Sequence, residues 1–313
     1  MLNIAQAHLY GAILESVLYG TYLSVLFGCI CVFKRQSKEQ TRTNKIILLV
    51  IGVMFILASV HFAFTIRGLQ VAFFRTRPEL PEYYFNNVAN LTSVICKSLM
   101  SANMIIADAL LTFRLYIVYQ GNIWIVVFPC ITMLGTAVSA FMILWNTAHP
   151  GTSSSIFTPS LESFAPGLFV LPFVTDVTVS VLILARIIRA DRAVQSVIYR
   201  KTNTSLYFVL IANLVESCLF YPVLMLVTLV LFLTKNPGVA LLSTPLIQIV
   251  SLVPAVLWIQ VRLGFSQYDA AASYGSESTL NDVMPKPFQH CNFSDMSTLA
   301  LATATSRPST PEP

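Results

Sequence analysis

The segment ADALLTFRLYIVY, residues 107–119, places Asp108 and Arg114 inside a run that is otherwise apolar enough to lie in a lipid bilayer. A charged side chain near the bilayer centre costs roughly 2.5–3.5 kcal/mol on insertion scales, so Asp108 should face other helices or water rather than acyl chains. Arg114 lies further along, where its long side chain can reach the interface beside Tyr116 and Tyr119. Asp108 is therefore the first candidate functional residue, and Arg114 is predicted to anchor the segment.

The composition around this segment indicates a membrane protein. Of the 313 residues, 56% are hydrophobic and only 11% are charged. Several apolar runs approach or exceed the roughly 20 residues that cross a hydrocarbon core, and they are continuous rather than alternating, which favours helices. We predict an all-α membrane protein, a seven-transmembrane helix bundle, in one domain of residues 1–265. Its predicted spans are 12–33, 46–72, 88–119, 123–145, 167–188, 205–233 and 241–261.

Basic residues give the predicted orientation. They gather in segments 34–45 and 186–201, which predicts that both lie in the cytoplasm, with the amino terminus outside and the carboxyl terminus inside. The net charge of +5 is then a topology signal and not a sign of nucleic-acid binding. Residues 266–313 are rich in Ser, Thr, Ala and Pro and are predicted to form a disordered cytoplasmic tail. A multi-pass protein of the plasma membrane is expected.

The ionisable residues inside the predicted spans are candidates for a ligand site or a conformational switch. Lys97 and Asp108 lie on one stripe of the third helix but about 16 Å apart along its axis, so they need partners elsewhere. Asp176 and Glu216 lie in the fifth and sixth spans. His61, in the second, is predicted to hydrogen-bond between helices. The candidate residues are Lys97, Asp108, Arg114, Asp176 and Glu216.

Metal and cofactor chemistry find no support in the sequence. The six cysteines lie mostly in apolar runs, and Cys29-x-Cys31 has no second half that would complete a metal site. Seven-span zinc hydrolases need several intramembrane histidines, whereas only His61 lies in a predicted span. Retinal binding needs a lysine deep in the last helix, which has none. We therefore predict no enzyme activity, no metal and no cofactor.

Four motifs, taken together and in order, resemble a large set of uncharacterised seven-span integral membrane proteins of basidiomycete fungi. They are ADALLTFRLYIVY at 107–119, ILARIIR at 183–189, LVESCLFYPVL at 214–224 and LVPAVLWIQVRLG at 252–264. The resemblance covers residues 11–264 and implies no particular activity. Its recurrent positions are Asp108, Arg114, Arg186, Glu216, Pro254 and Arg262. The layout is also loosely similar to a G-protein-coupled receptor, although the last helix lacks an Asn-Pro-x-x-Tyr run.

Three functions stay open at this point. The first is a seven-helix receptor or sensor that binds a cytoplasmic signalling protein at segments 34–45 and 186–201, with the buried charges as a two-state element. The second is a proton- or cation-coupled transporter that uses Asp108, Asp176 and Glu216. The third is a structural membrane protein, in which the lipid bilayer is the main partner and the carboxyls only fix helix packing.

Overall fold

The computed structural model describes residues 3–35, 42–75, 81–86, 90–148, 159–197 and 221–276. In this part of the chain the regular structure is helical and contains no strand, as the sequence predicts. The helices are α1 (Ile4–Arg35), α2 (Arg42–Gln70), α3 (Pro81–Asn86), α4 (Leu91–Val118), α5 (Ile123–Ala148), α6 (Pro159–Val197), α7 (Tyr221–Leu233) and α8 (Gly238–Ser276). A π-helical turn, Val71–Arg75, follows α2.

Six of the described helices are long and apolar enough to cross a bilayer, which supports a multi-pass membrane protein. They are Ile4–Arg35, Arg42–Phe74, Leu91–Val118, Ile123–Ala148, Phe164–Arg186 and Gly238–Gln260. The predicted span 205–233 is described only at Tyr221–Leu233, which is shorter than a span. Its residues 205–220, with Glu216 among them, lie outside the described residues.

Several helix ends differ from the predicted ones. Helix α1 begins at Ile4 rather than at residue 12, because residues 4–11 contain neither proline nor a turn sequence, and His8 therefore also lies in a helix. Within the predicted outer loop after the second span, Pro81–Asn86 forms the short helix α3. Helix α6 continues through Val197 into the second basic segment.

Helix α8 continues through Ser276, beyond residue 265 where the predicted transmembrane domain ends. Residues 270–272 are three consecutive alanines, and alanine has the highest helix propensity of all residues. The chain divides into two compact units, residues 1–264 and 265–313. In the second unit only residues 265–276 are described, and the rest of the predicted tail lies outside the described residues.

Helix α4 holds the centre of the first unit. It packs against α2, α5 and α6, and it is joined to α8 by a hydrogen bond from Asn103 Nδ2 to the Ile247 carbonyl at 3.2 Å. The largest group of buried apolar side chains includes Met104, Leu111 and Leu115 of α4 together with residues of α2, α6, α7 and α8. The inward face of residues 107–119 therefore lies in the core of the bundle.

The outer faces of the helices are apolar. On α1, Val17 and Phe27 are 61% and 68% exposed, and on α5 Ile131 and Leu134 are 62% and 63% exposed. Water would make such a surface aggregate, whereas lipid tails solvate it. Buried residues of α1 recur at a spacing of seven, with Glu15, Tyr22 and Cys29 on one inward stripe. Helix α1 thus turns one stripe inward and the remainder toward lipid, whereas the span of α8, Gly238–Gln260, is mostly buried.

Candidate functional site

Among the described residues, the buried carboxyl side chains lie in two groups of buried residues. The first consists of Asp108 on α4, Asp176 on α6 and Tyr221 on α7. The second consists of Glu15 on α1, His61 on α2 and Gln248 on α8. We refer to Asp108 and Asp176 as the carboxyl pair and to Glu15, His61 and Gln248 as the Glu15 triad. All of these residues except Tyr221 lie inside helices that are long and apolar enough to span the membrane, and Tyr221 begins the shorter apolar helix α7.

The carboxyl pair lies in the bundle interior. The exposed fractions of Asp108 and Asp176 are 0% and 2%, and the two carboxyls are near enough to interact electrostatically. None of their four side-chain oxygens has a hydrogen-bond partner among the described residues. The Tyr221 hydroxyl, which interacts electrostatically with both carboxyls, is also buried without a hydrogen bond in the described part of the chain. Since buried polar groups are normally hydrogen-bonded, this concentration of unpaired oxygens is unusual.

The local sequence accounts for the burial of the pair. Asp108 follows Ala107 and is three and seven residues before Leu111 and Leu115, all of which are buried, so it lies on the inward stripe of α4. On α6, Thr175 binds the neighbouring helix, because its hydroxyl lies 2.7 Å from that of Thr132 on α5. Asp176 follows directly and points inward near α4.

The Glu15 triad, by contrast, is hydrogen-bonded. His61 Nδ1 lies 2.8 Å from Glu15 Oε1. Gln248 Nε2 donates to the same oxygen at 3.4 Å and to the Ala58 carbonyl at 3.2 Å. The triad thereby ties α1, α2 and α8 together, and His61 forms the interhelical hydrogen bond predicted for it. The remaining carboxylate oxygen, Glu15 Oε2, is buried without a partner in the part of the chain that is described.

We predict that Glu15→Ala lowers the free energy of unfolding by about 1–3 kcal/mol, because His61 and Gln248 lose a buried acceptor. Glu15→Gln keeps an acceptor oxygen and should lose less than Glu15→Ala. The measurement is equilibrium unfolding in mixed micelles of detergent and denaturing surfactant. Glu82→Ala is the control, since Glu82 is exposed and, among the described residues, its carboxyl accepts a single hydrogen bond, from Asn3 Nδ2 at 3.3 Å. Equal losses at positions 15 and 82 would contradict the role assigned to the triad.

The other predicted site residues lie apart from the carboxyl pair. Lys97 is half-buried and interacts electrostatically with His8 of α1, away from Asp108. Arg114 is also half-buried, and its Nη2 donates to the Pro254 carbonyl of α8 at 3.0 Å. It therefore contacts a neighbouring helix in addition to any interfacial role predicted for it. Glu216 lies outside the described residues.

Three buried residues were not predicted from the sequence, of which Glu15 and Tyr221 belong to these groups and Asn103 lies outside them. Glu15 could have been predicted, because like Asp108 it is a carboxyl residue inside an apolar run. Asn103, fully buried on α4, was detectable as an amide inside a span. Tyr221 has no such signal, because tyrosines are common at both ends of membrane spans.

Comparison with known proteins identified no relative of this chain. The chain matches no family model, no curated protein and no solved structure.

Proposed function

We propose that the chain is a seven-helix receptor or sensor of the plasma membrane, with its amino terminus outside and its carboxyl terminus in the cytoplasm. The seventh span in this proposal is the predicted segment 205–233, of which Tyr221–Leu233 is described as helix. With seven spans, segments 34–45 and 186–201 lie on one side, which agrees with the cytoplasmic preference of basic residues. These two segments are the proposed docking surface for a signalling protein.

The observation that supports this function is the unpaired carboxyl pair between α4 and α6. A packed core that contains unsatisfied polar groups gains stability when a rearrangement pairs them, so a second arrangement of the helices is energetically accessible. Arg114 connects the same central helix to α8 near the predicted cytoplasmic side. Movement at the pair would therefore be transmitted along α4 toward the basic segments.

The test is nucleotide exchange on G proteins. The full chain is reconstituted into lipid nanodiscs with fungal Gα subunits, in line with the resemblance to fungal proteins. We expect exchange to accelerate on the order of tenfold, a size typical of coupling between two sites. A control variant that exchanges Lys34 and Arg35 for glutamine removes two basic residues of the proposed docking surface and should abolish the effect. If no Gα subunit binds or is activated, the receptor proposal fails in this form.

A carrier coupled to protons or a cation is the second candidate, and the same pair favours it. Carboxyls buried in spans often mark ion or proton pathways. The described conformation is closed around the pair, since neither residue has an exposed carboxyl oxygen. Proton flux into proteoliposomes separates the two functions, because a carrier should lose flux in Asp108→Asn and Asp176→Asn variants. Flux that both substitutions leave unchanged would remove the carrier.

A further inference from the structure

The unpaired oxygens extend beyond the two carboxyl groups. Thr112 follows Asp108 by one helical turn on the same face of α4, and its hydroxyl is also buried without a partner among the described residues. Three helices thus contribute buried oxygens that have no hydrogen-bond partner among the described residues. They belong to Asp108 and Thr112 on α4, Asp176 on α6 and Tyr221 on α7. Tyr221 is buried, and its hydroxyl, which interacts electrostatically with both carboxyls, is a hydrogen-bond donor without an acceptor among the described residues.

Two ionised carboxylates cannot share this environment. An isolated buried carboxylate is strongly destabilised by lost hydration, and a second one nearby adds repulsion. The electrostatic interactions found for Asp108 and Asp176 among the described residues include no basic side chain. In this part of the chain the two carboxyls interact with each other and with the Tyr221 hydroxyl. Negative charge on both aspartates would be uncompensated within the described residues, which favours a neutral form of the pair.

A proton fits this site better than a metal ion. Calcium takes 6–8 oxygen ligands and magnesium retains several waters, so both need a large or hydrated cavity. The pair instead lies among packed apolar side chains such as Met104, Leu111 and Val179. Within the described residues no cluster of three or more His, Cys, Asp or Glu side chains could hold a metal. A proton needs no cavity and converts each carboxylate into a neutral acid.

We propose that Asp108, Asp176 and Tyr221 form an occluded proton-binding site, in which both aspartates are protonated in the described conformation. Each carboxylate takes up one proton from water and becomes a carboxylic acid, while Tyr221 keeps its own proton. The burial of all the oxygens means that exchange with water requires α4, α6 and α7 to separate. This proposal rests on the proposed function only in naming proton release as the event that changes the state of the sensor.

The test is infrared spectroscopy of the full chain in nanodiscs at neutral pH. The carbonyl stretch of a protonated carboxylic acid is separate from that of an ionised carboxylate. We expect an acid band that Asp108→Asn and Asp176→Asn each reduce and that the double variant removes. Because asparagine resembles a protonated aspartate in size and neutrality, these variants should fold. In D2O the band should shift slowly, since the site is occluded. Glu82→Gln, which alters an exposed carboxyl, should leave the band unchanged.

Three results would overturn the proposal. The absence of an acid band at neutral pH would show that both aspartates are ionised. A band that survives in the double variant would come from another carboxyl, with Glu15 as the first candidate. A band that disappears when sodium or calcium chloride replaces choline chloride would identify a metal-cation site instead. The infrared signal does not depend on G-protein activation, so failure of the receptor proposal and failure of the proton site can be distinguished.

Discussion

Gly11→Leu is expected to lower the free energy of unfolding by about 3 kcal/mol or more, the upper range for overpacked cores. A Cβ atom at Gly11 would lie 3.1 Å from the carbonyl oxygens of Ala240 and Leu241 and from Thr244 Cβ. Two of these three atoms belong to the backbone of α8, so the contact can be relieved only by moving a helix. Gly11 also lies one turn before Glu15, and a displaced α1 would draw Glu15 away from Gln248. Unfolding in mixed micelles measures the loss.

Gly20→Leu is the matched control on the same helix. A Cβ atom at Gly20 meets nothing within 4 Å, so a larger side chain there enters lipid. Leucine also has a helix propensity better than that of glycine by nearly 1 kcal/mol. Gly20→Leu should therefore be neutral or slightly stabilising. If both leucine variants lose stability equally, α1 does not pack on α8 at Gly11.

Leu115→Ala should lower the free energy of unfolding by about 2 kcal/mol, near the lower end of the range for buried leucines. Leu115 is fully buried in the main core, and its removal leaves a cavity. The expected loss lies at the lower end of the range because lipid tails are as apolar as leucine. Truncation therefore removes packing contacts, but it forfeits no free energy of transfer from water. The measurement is again unfolding in mixed micelles, with helicity followed by circular dichroism.

The control for this variant is Leu134→Ala on α5. Leu134 is 63% exposed, and in a bilayer its truncation exchanges contacts with lipid for other contacts with lipid. We expect a change below about 0.5 kcal/mol, as for surface substitutions in general. A larger loss at position 134 than at position 115 would mean that the exposed face of α5 is covered by protein, which would contradict its assignment to lipid.

Most of the helices were predictable because a span is a local property. About 20 apolar residues in a row cross the hydrocarbon core whatever their neighbours are, and α4 and α5 accordingly begin and end within three residues of the predictions. Helix ends were less predictable, as the early start of α1 shows. The apolar pattern marks where a helix meets lipid and not where its hydrogen bonding stops. The seven-span count and the orientation remain predictions.

The candidate site was predictable only residue by residue. The cost of placing a carboxyl in lipid singled out Asp108 and Asp176, and the same cost applies to Glu15. No spacing rule connects Asp108 with Asp176, which are 68 positions apart in the sequence. Their electrostatic contact depends on the packing of α6 against α4 and on the rotation of both helices. Tyr221 joins them for the same reason.

The sequence by itself determined that this protein lies in a membrane and that its chain is helical, because a backbone in lipid must satisfy its hydrogen bonds within each segment. It also determined which carboxyls must avoid lipid. Only the tertiary structure decided their partners: Glu15 is hydrogen-bonded to His61, whereas Asp108 and Asp176 are both buried without hydrogen bonds in the described chain and interact electrostatically. This difference arises because helices that are uniformly apolar can rotate against one another at little cost, so that contacts between small and polar residues choose the final packing.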